Sequence, residues 1–245
     1  MRTPSSTCSR PENCRHNRYR VDPHWRPMRT YDAVLFDYGG IFTDSPFAAA
    51  KALGAEYGLG FEETSRLVFG PYDEDTDHPW HQLERGEMGL EQARSSIRSL
   101  SEEASGLALD PVDVLTRLGD GGIREFMIDK VRAVRAAGYK TALITNNARE
   151  FRALWEPTLP LEELFVEVVD SSEVGFRKPD PRIFELTLER LAVDPTRAVF
   201  LDDYRGNVLA AEKLGITGVL VGHEIADAHD ALTELDAVLA GRYRR

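Results

Sequence analysis

Four short apolar runs, spaced apart by helical patterns, constrain this chain most: Ala33–Phe36 (AVLF), Lys140–Thr145 (KTALIT), Ala198–Leu201 (AVFL) and Thr217–Val221 (TGVLV). Run length alone does not separate a buried strand from a helix segment. The glycine pair after the first run, Gly39 and Gly40, favours a strand. Residues Phe165–Val169 are a candidate fifth strand. Between the runs, Ile123–Ala137 puts Ile123, Met127, Val131 and Val134 on one face and stops at Gly138. Asp180–Ala192 opens with Asp180 as N-cap and Pro181 in the first helical position. Ile183, Phe184, Leu188 and Leu191 then form its apolar stripe. Asn207–Leu214 is a shorter helix closed by Gly215. Strands alternating with helices predict an α/β fold, a Rossmann-like parallel sheet with helices on both faces.

Residues 46–118 break that alternation. They are mostly helical, with polar loops such as PYDEDTDHPWHQ, and follow the first strand directly. The expected organisation is a helical cap, 46–118, inserted into a core made of 31–45 and 119–245. Residues 1–30 form a separate basic extension, rich in Pro, Ser and Arg and expected to be disordered. It holds both cysteines, Cys8 and Cys14. With His16 they make an incomplete zinc set, since such sites take four ligands. Met28 lies just before the first strand, so the arm reads as an upstream extension.

The chain carries a net charge of −11, and the basic arm makes the remainder more acidic still. Such a body argues against nucleic acid or an anionic membrane as partner. No apolar run reaches the length of a membrane span, and the first thirty residues hold no secretory apolar region. A cysteine-free body fits a reducing cytoplasm, the expected location.

Open α/β sheets bind ligands beyond the carboxyl ends of their strands. Four polar clusters fall there: Asp37, Thr145 with Asn146, Lys178 in the loop GFRKPDP, and the pair Asp202 and Asp203. Each has an ordinary reading alone, as a turn cap, a helix N-cap or a solvated charge. The adjacent acids are harder to set aside, because they repel one another unless a cation or base lies between them. Convergent carboxylates suit a hard cation with oxygen ligands, most simply Mg²⁺. A lysine and a threonine hydroxyl beside it suit a phosphoryl group. A carboxylate nucleophile can form an aspartyl-phosphate. The glycines match neither a Walker loop nor a GxGxxG fingerprint.

In order and spacing, FDYGG, LITN, RKPD and LDDYRGN resemble the four motifs of the haloacid dehalogenase superfamily, over roughly residues 32–222. WHQLERGEM, VGFRKPDPRIFE and FLDDYRGN resemble its α-glucose-1-phosphate phosphatase and soluble epoxide hydrolase N-terminal phosphatase branch in particular. The resemblance implies a Mg²⁺-dependent phosphomonoester hydrolase acting on a small phosphorylated metabolite, sugar phosphates among the candidates. It implies Asp37 as nucleophile and metal ligand, the Gly39 carbonyl and Asp203 as further ligands, and Asp202 as a ligand or just behind one. Thr145 and the Asn146 backbone would hold phosphoryl oxygens, and Lys178 would bridge them to Asp37.

Gly39 departs from the pattern. Most phosphatases of this family carry a second Asp there, which moves protons, a contribution of ~10²–10⁴-fold. A good leaving group tolerates the loss. His78 and His81 in the cap are candidate replacements, with packing as their more ordinary role. Two alternatives stand beside this reading. A metal-independent 2-haloacid dehalogenase is opposed by the Asp202–Asp203 pair. A non-catalytic binding module is supported by Gly39 alone. Specificity is expected near Trp80, His81 and Arg85, and hinges near Gly40 and Gly119–Gly122. Substrate identity and oligomeric state are not encoded legibly.

Overall fold

Five strands form one parallel sheet: β1 (Ala33–Phe36), β2 (Lys140–Thr145), β3 (Glu167–Asp170), β4 (Ala198–Asp202) and β5 (Thr217–Leu220), in the order β3-β2-β1-β4-β5. The structure, a computed structural model, describes residues 29–118 and 122–242. Among the described residues, twelve α-helices accompany the sheet. Five lie between β1 and β2: α1 (Pro46–Glu56), α2 (Phe61–Phe69), α3 (Pro79–Glu84), α4 (Leu90–Ser105) and α5 (Pro111–Leu115). The others are α6 (Glu125–Ala136), α7 (Arg152–Trp155), α8 (Leu161–Leu164), α9 (Ser171–Val174), α10 (Pro181–Leu191), α11 (Arg205–Lys213) and α12 (Ile225–Leu239).

Both faces of the sheet are covered, which is why the strands read as continuous apolar runs. Val34, Phe36, Leu143, Val199 and Leu201 point to the face packed by α6 and α12. Leu35, Ala142, Ile144 and Phe200 point to the opposite face, against α10 and α11. The predicted α10 forms as expected. Asp180 accepts from the Arg182 amide, Pro181 occupies the first turn, and Ile183, Phe184, Leu188 and Leu191 are buried. Burying each of those four side chains contributes roughly 1.5–3 kcal/mol. Phe184 packs edge-on against Phe200 at 5.2 Å, so Phe184→Ala should be the most damaging single change in this helix, at about 3–5 kcal/mol. The helix predicted at 123–137 starts at Glu125, and Gly138 beyond it adopts a φ of 88°.

Boundaries shift where side chains decide otherwise. Phe165 precedes β3 rather than opening it, because its ring is drawn into the core against Phe42 at 6.0 Å and Phe36 at 6.3 Å. β4 extends through Asp202, which pairs with Leu220, and β5 stops at Leu220.

Helices α1–α5 build a second apolar cluster, with Phe47, Leu53, Val68, Phe69, Leu83 and Ile97 buried in it. This is the inserted helical cap. Its entry and exit run side by side. The buried Arg124 sends its amide to Phe42 O (2.8 Å) and its guanidinium Nη1 to Gly40 O (2.6 Å). The readings of the basic arm, Cys8, Cys14 and His16, and of a hinge over Gly119–Gly121, lie outside the described residues. Arg29, at the end of that arm, packs over the Tyr139 ring at 4.8 Å. Among the described residues no helix is long and apolar enough to cross a membrane.

Candidate active site

The chain runs from β1 to β2 to β3 on one side, then crosses to β4 and β5 on the other. The switch point therefore lies between β1 and β4, where crevices open in such sheets. Asp37 and Asp202 meet there. The Asp37 amide donates to Leu201 O (2.9 Å), so strand pairing carries Asp37 to the sheet edge before the chain turns. Its Oδ1 then accepts from the Tyr38 amide (2.6 Å), and Phe42 N closes the turn on Tyr38 O (3.0 Å). Gly40 sits in this turn at φ 71°, and a Cβ there would run into the Asp203 carboxylate. Gly39 is different. Its φ is ordinary, and an added Cβ would meet only Pro46, at 3.4 Å. Nothing in the backbone requires glycine at 39.

Lys178 is fully buried and its Nζ joins Asp37 Oδ1 and Asp202 Oδ2, each at 2.7 Å. Asn146 fixes its backbone from both sides: Oδ1 accepts from Lys178 N (2.8 Å) and Nδ2 donates to Lys178 O (2.9 Å). The reading of Thr145-Asn146 as a helix N-cap is therefore corrected. The next helical turn begins only at Arg149, and the Asn146 side chain is committed to the lysine loop. Asp202 is occupied by protein donors, Tyr204 N (2.8 Å), Asn207 Nδ2 (3.1 Å) and Lys178. Asp203 instead faces the glycine turn and receives the Ser45 hydroxyl, which also caps α1 by accepting from Phe47 N (3.2 Å). His223 Nδ1 lies 3.6 Å from Asp203 Oδ2.

Asp37, Asp202 and Asp203 each present an oxygen within 4.8 Å of the others, all buried. Burial pushes the Asp37 carboxyl well above its usual range, and Asp202 and Asp203 add to the rise against the pull of Lys178. Burial raises Asp202 as well. Burial works against the Lys178 charge, but Asp202 and Asp37 override it and its pKa moves up. Three carboxylates thus converge in a dry setting, and the one ammonium there pairs with only two of them, Asp37 and Asp202. An all-oxygen donor set with surplus negative charge fits a hard divalent cation such as Mg²⁺.

A cavity of about 640 Å³ opens between this edge and the cap. Asp37, Gly39, Thr145, Asn146, Lys178 and Asp203 line its inner end, and Asp202 stands behind Lys178. Of the three cap residues singled out, only Trp80 lines it. Trp80 and Glu84 share one face of α3, while His81 and Arg85 share the next face, toward Asp75 and Thr76. His81 is fully buried, its Nδ1 accepts from Thr76 N (3.0 Å), and burial drops its pKa to about 2. Burial takes His78 to about 4, and its Nδ1 caps α3 through Trp80 N (3.2 Å). Both are packing and capping residues, not proton donors to the cavity.

Sequence reasoning missed a buried ion pair. Arg177 Nε donates to Glu84 Oε2 (2.7 Å), and its guanidinium lies 4.5 Å over the Tyr72 ring. Glu84 Oε1 accepts from the Tyr72 hydroxyl and Trp80 Nε1, both at 2.9 Å. The only available signal was adjacency: Arg177 immediately precedes Lys178.

The family model described as a haloacid dehalogenase-like hydrolase matches residues 31–215. Acyl-CoA dehydrogenase family member 10 of Mus musculus is 31% identical over 220 residues, 86% of this chain and 19% of that protein. The chain thus spans about a fifth of that relative's length. The phosphorylated carbohydrates phosphatase of Thermotoga maritima is 29% identical over 213 residues, 84% of this chain and 92% of that protein. An enzyme of the same family from Bacteroides thetaiotaomicron, solved with magnesium and inorganic phosphate, shares the fold at a TM-score of 0.51 and 20% identity, over 79% of this chain and 95% of its own. L-2-haloacid dehalogenase from Xanthobacter autotrophicus does so equally, at a TM-score of 0.51 and 20% identity, over 81% and 80%. Because the family match runs from just before β1 to the end of α11, the conclusion is direct: this chain belongs to the haloacid dehalogenase-like hydrolases.

Proposed function

We propose that the protein is a magnesium-dependent phosphomonoester hydrolase acting on a small phosphorylated metabolite through an aspartyl-phosphate on Asp37. Residues 46–118 serve as the cap over a core of 31–45 and 119–245. One observation carries the reading: Asp37, Asp202 and Asp203 converge within 4.8 Å at the inner end of a cavity, with a single lysine among them. The relatives named as phosphatases support it.

Asp37, the Gly39 carbonyl and Asp203 would hold the cation, with Asp202 as the anchor that orients Lys178. When bound, the ion supplies charge neutralisation to the phosphoryl group. The Asp37 carboxylate attacks phosphorus, and the bond to the leaving oxygen breaks with its electron pair on that oxygen. Water then attacks the same phosphorus, releasing phosphate and restoring Asp37. Lys178 works against the burial that raises Asp37 and steadies the phosphoryl oxygens, with Thr145 and Asn146 completing the cradle. Gly39 donates no proton, so the leaving oxygen must depart as a stable anion or take its proton from water.

In a metal-free dehalogenase the buried Asp203 would lack a divalent counter-charge, and a binding module would not need Lys178 held against Asp37. Gly39 is the one residue that favours either alternative, and neither accounts for the convergence of Asp37, Asp202 and Asp203. The test is phosphate release from a metabolite panel, with and without Mg²⁺, by wild type and Asp37→Asn. Release that needs both Mg²⁺ and Asp37 is expected. No Mg²⁺-dependent release from any member of the panel would end the proposal.

A further inference from the structure

The inner end of the cavity is polar, but its outer walls are not. Leu90 of α4, Val112 and Leu115 of α5, and Leu118 beyond it line one side. Phe151 and Trp155, from the segment after β2, line the other. All but Trp155 stand only half-buried; Leu90, Leu118 and Phe151 pack one side against the neighbouring apolar clusters and leave the rest of their surface to the cavity. The floor is a packed aromatic group: Phe47 stacks on Tyr204 at 4.7 Å and meets Tyr72 at 5.1 Å, and Phe69 meets Trp80 at 5.0 Å. Rings held in this way form a rigid wall.

Most polar groups in these walls are already engaged; among the described residues the Asp44 carboxylate, 3.9 Å from Arg124, and the Asn147 side-chain nitrogen are the exceptions. Glu84 spends both carboxylate oxygens on Tyr72, Trp80 and Arg177. Arg94 is held by Asp110 (2.8 Å) and Glu91 (2.9 Å). The Thr43 and Thr116 hydroxyls donate to the carbonyls of Asp44 (3.1 Å) and Asp113 (3.0 Å). Tyr38 shares its hydroxyl with Thr158 (2.9 Å). A sugar entering here would lose water from several hydroxyls and find few replacement partners among the described residues, a large penalty per group. An apolar group would gain by covering Leu90, Val112, Leu115 and Phe151.

We propose that this site takes phosphates of apolar organic groups of aromatic-ring size or larger, in preference to phosphates of sugars and polyols. The inference rests on the phosphomonoesterase reading and narrows its substrate class. Cap helices α4 and α5 set the specificity, and the residues that read it are Leu90, Val112, Leu115 and Leu118.

The test compares 1-naphthyl phosphate, phenyl phosphate, acetyl phosphate and glucose 1-phosphate with Mg²⁺, reading kcat/KM. Naphthyl should exceed phenyl by on the order of tenfold, the gain expected from burying further apolar surface, and phenyl should exceed glucose 1-phosphate. Leu115→Asn and Leu118→Asn, checked for folding by their melting temperatures, should shrink the naphthyl-to-phenyl ratio. A binding arm uses Asp37→Asn with n-alkyl phosphates of rising length, followed by the fluorescence of Trp80 and Trp155. Affinity should climb about fourfold per methylene, the equivalent of about 0.8 kcal/mol. A preference for glucose 1-phosphate, or affinity flat with chain length, would overturn the apolar assignment and leave the phosphatase reading standing. No Mg²⁺-dependent release from any of the four would overturn the phosphatase reading, and this inference with it.

Discussion

Residue 39 has room for a side chain and residue 40 does not. Gly40 is required by its φ of 71° and by the Asp203 carboxylate lying where its Cβ would be. Gly39 faces only ordinary contact with Pro46, so its glycine is a chemical choice and not a steric one. Gly39→Asp should therefore fold and restore a proton donor. Alkyl phosphates, with poor leaving groups, should gain up to about 10²-fold in kcat/KM while aryl phosphates gain little. Equal or lower rates for every substrate would show that the site has adapted to the glycine. Asp37, Lys178 and Asp203 were legible because each follows a strand that could be recognised. Glu84 and Arg177 were not, because they are 93 residues apart and only the fold joins them. His81 makes a further prediction. It is neutral and buried, with a pKa lowered to about 2 from 6.5. A folded pKa below the unfolded one gives stability that is complete above the unfolded value and lost as pH falls beneath it. Wild type should lose stability below about pH 6.5, this one group contributing at most about 1.4 kcal/mol per pH unit. His81→Gln, followed by urea denaturation from about pH 7 down to about pH 4, where the unfolded imidazole takes up its proton and the folded one does not, should show a shallower fall. An unchanged slope would refute the assignment.

At the scale of elements, the helices with clear caps were the most legible. Asp180 and Pro181 start α10 where the sequence indicates, because a side-chain acceptor and a fixed φ act locally. The face of α3 was not legible, since one short turn places Trp80 toward the cavity and His81 into packing, a choice made by Thr76 and Asp75 from another segment. That same helix clamps the cap to the core through Glu84 and Arg177, both essentially inaccessible to solvent. Glu84→Gln leaves the buried guanidinium with only the more distant Asp75 carboxylate, 3.7 Å away, as counter-charge and should destabilise toward the lower end of about 3–5 kcal/mol. Glu84→Gln with Arg177→Met removes the charge as well and should recover a large part of that loss. Chemical denaturation of both variants decides it, and a double variant as unstable as the single one would show that the pair is not the source of the penalty.

For the molecule as a whole, alternation of strands and helices carried the fold, and the strand order then explains why distant motifs converge: β1 and β4 are neighbours at the switch point. What the sequence left open was the cavity, because its walls come from α4, α5 and the segment after β2, which meet only once the cap is folded. A cation bound only by the folded site must stabilise the fold. At a hundredfold excess over its dissociation constant, Mg²⁺ should add about 2.7 kcal/mol. Thermal unfolding should rise with Mg²⁺ in wild type and stay flat in Asp203→Asn. A rise of equal size in the variant would place the ion elsewhere. Covalent attack by Asp37 is open to trapping: rapid acid quenching during turnover of phenyl phosphate, followed by peptide mass spectrometry, reads the phosphorylated residue. One phosphoryl group is expected on the peptide containing Asp37, present only with Mg²⁺ and absent from Asp37→Asn. Mg²⁺-dependent turnover with the phosphoryl group on another residue, or on none, would contradict attack by Asp37.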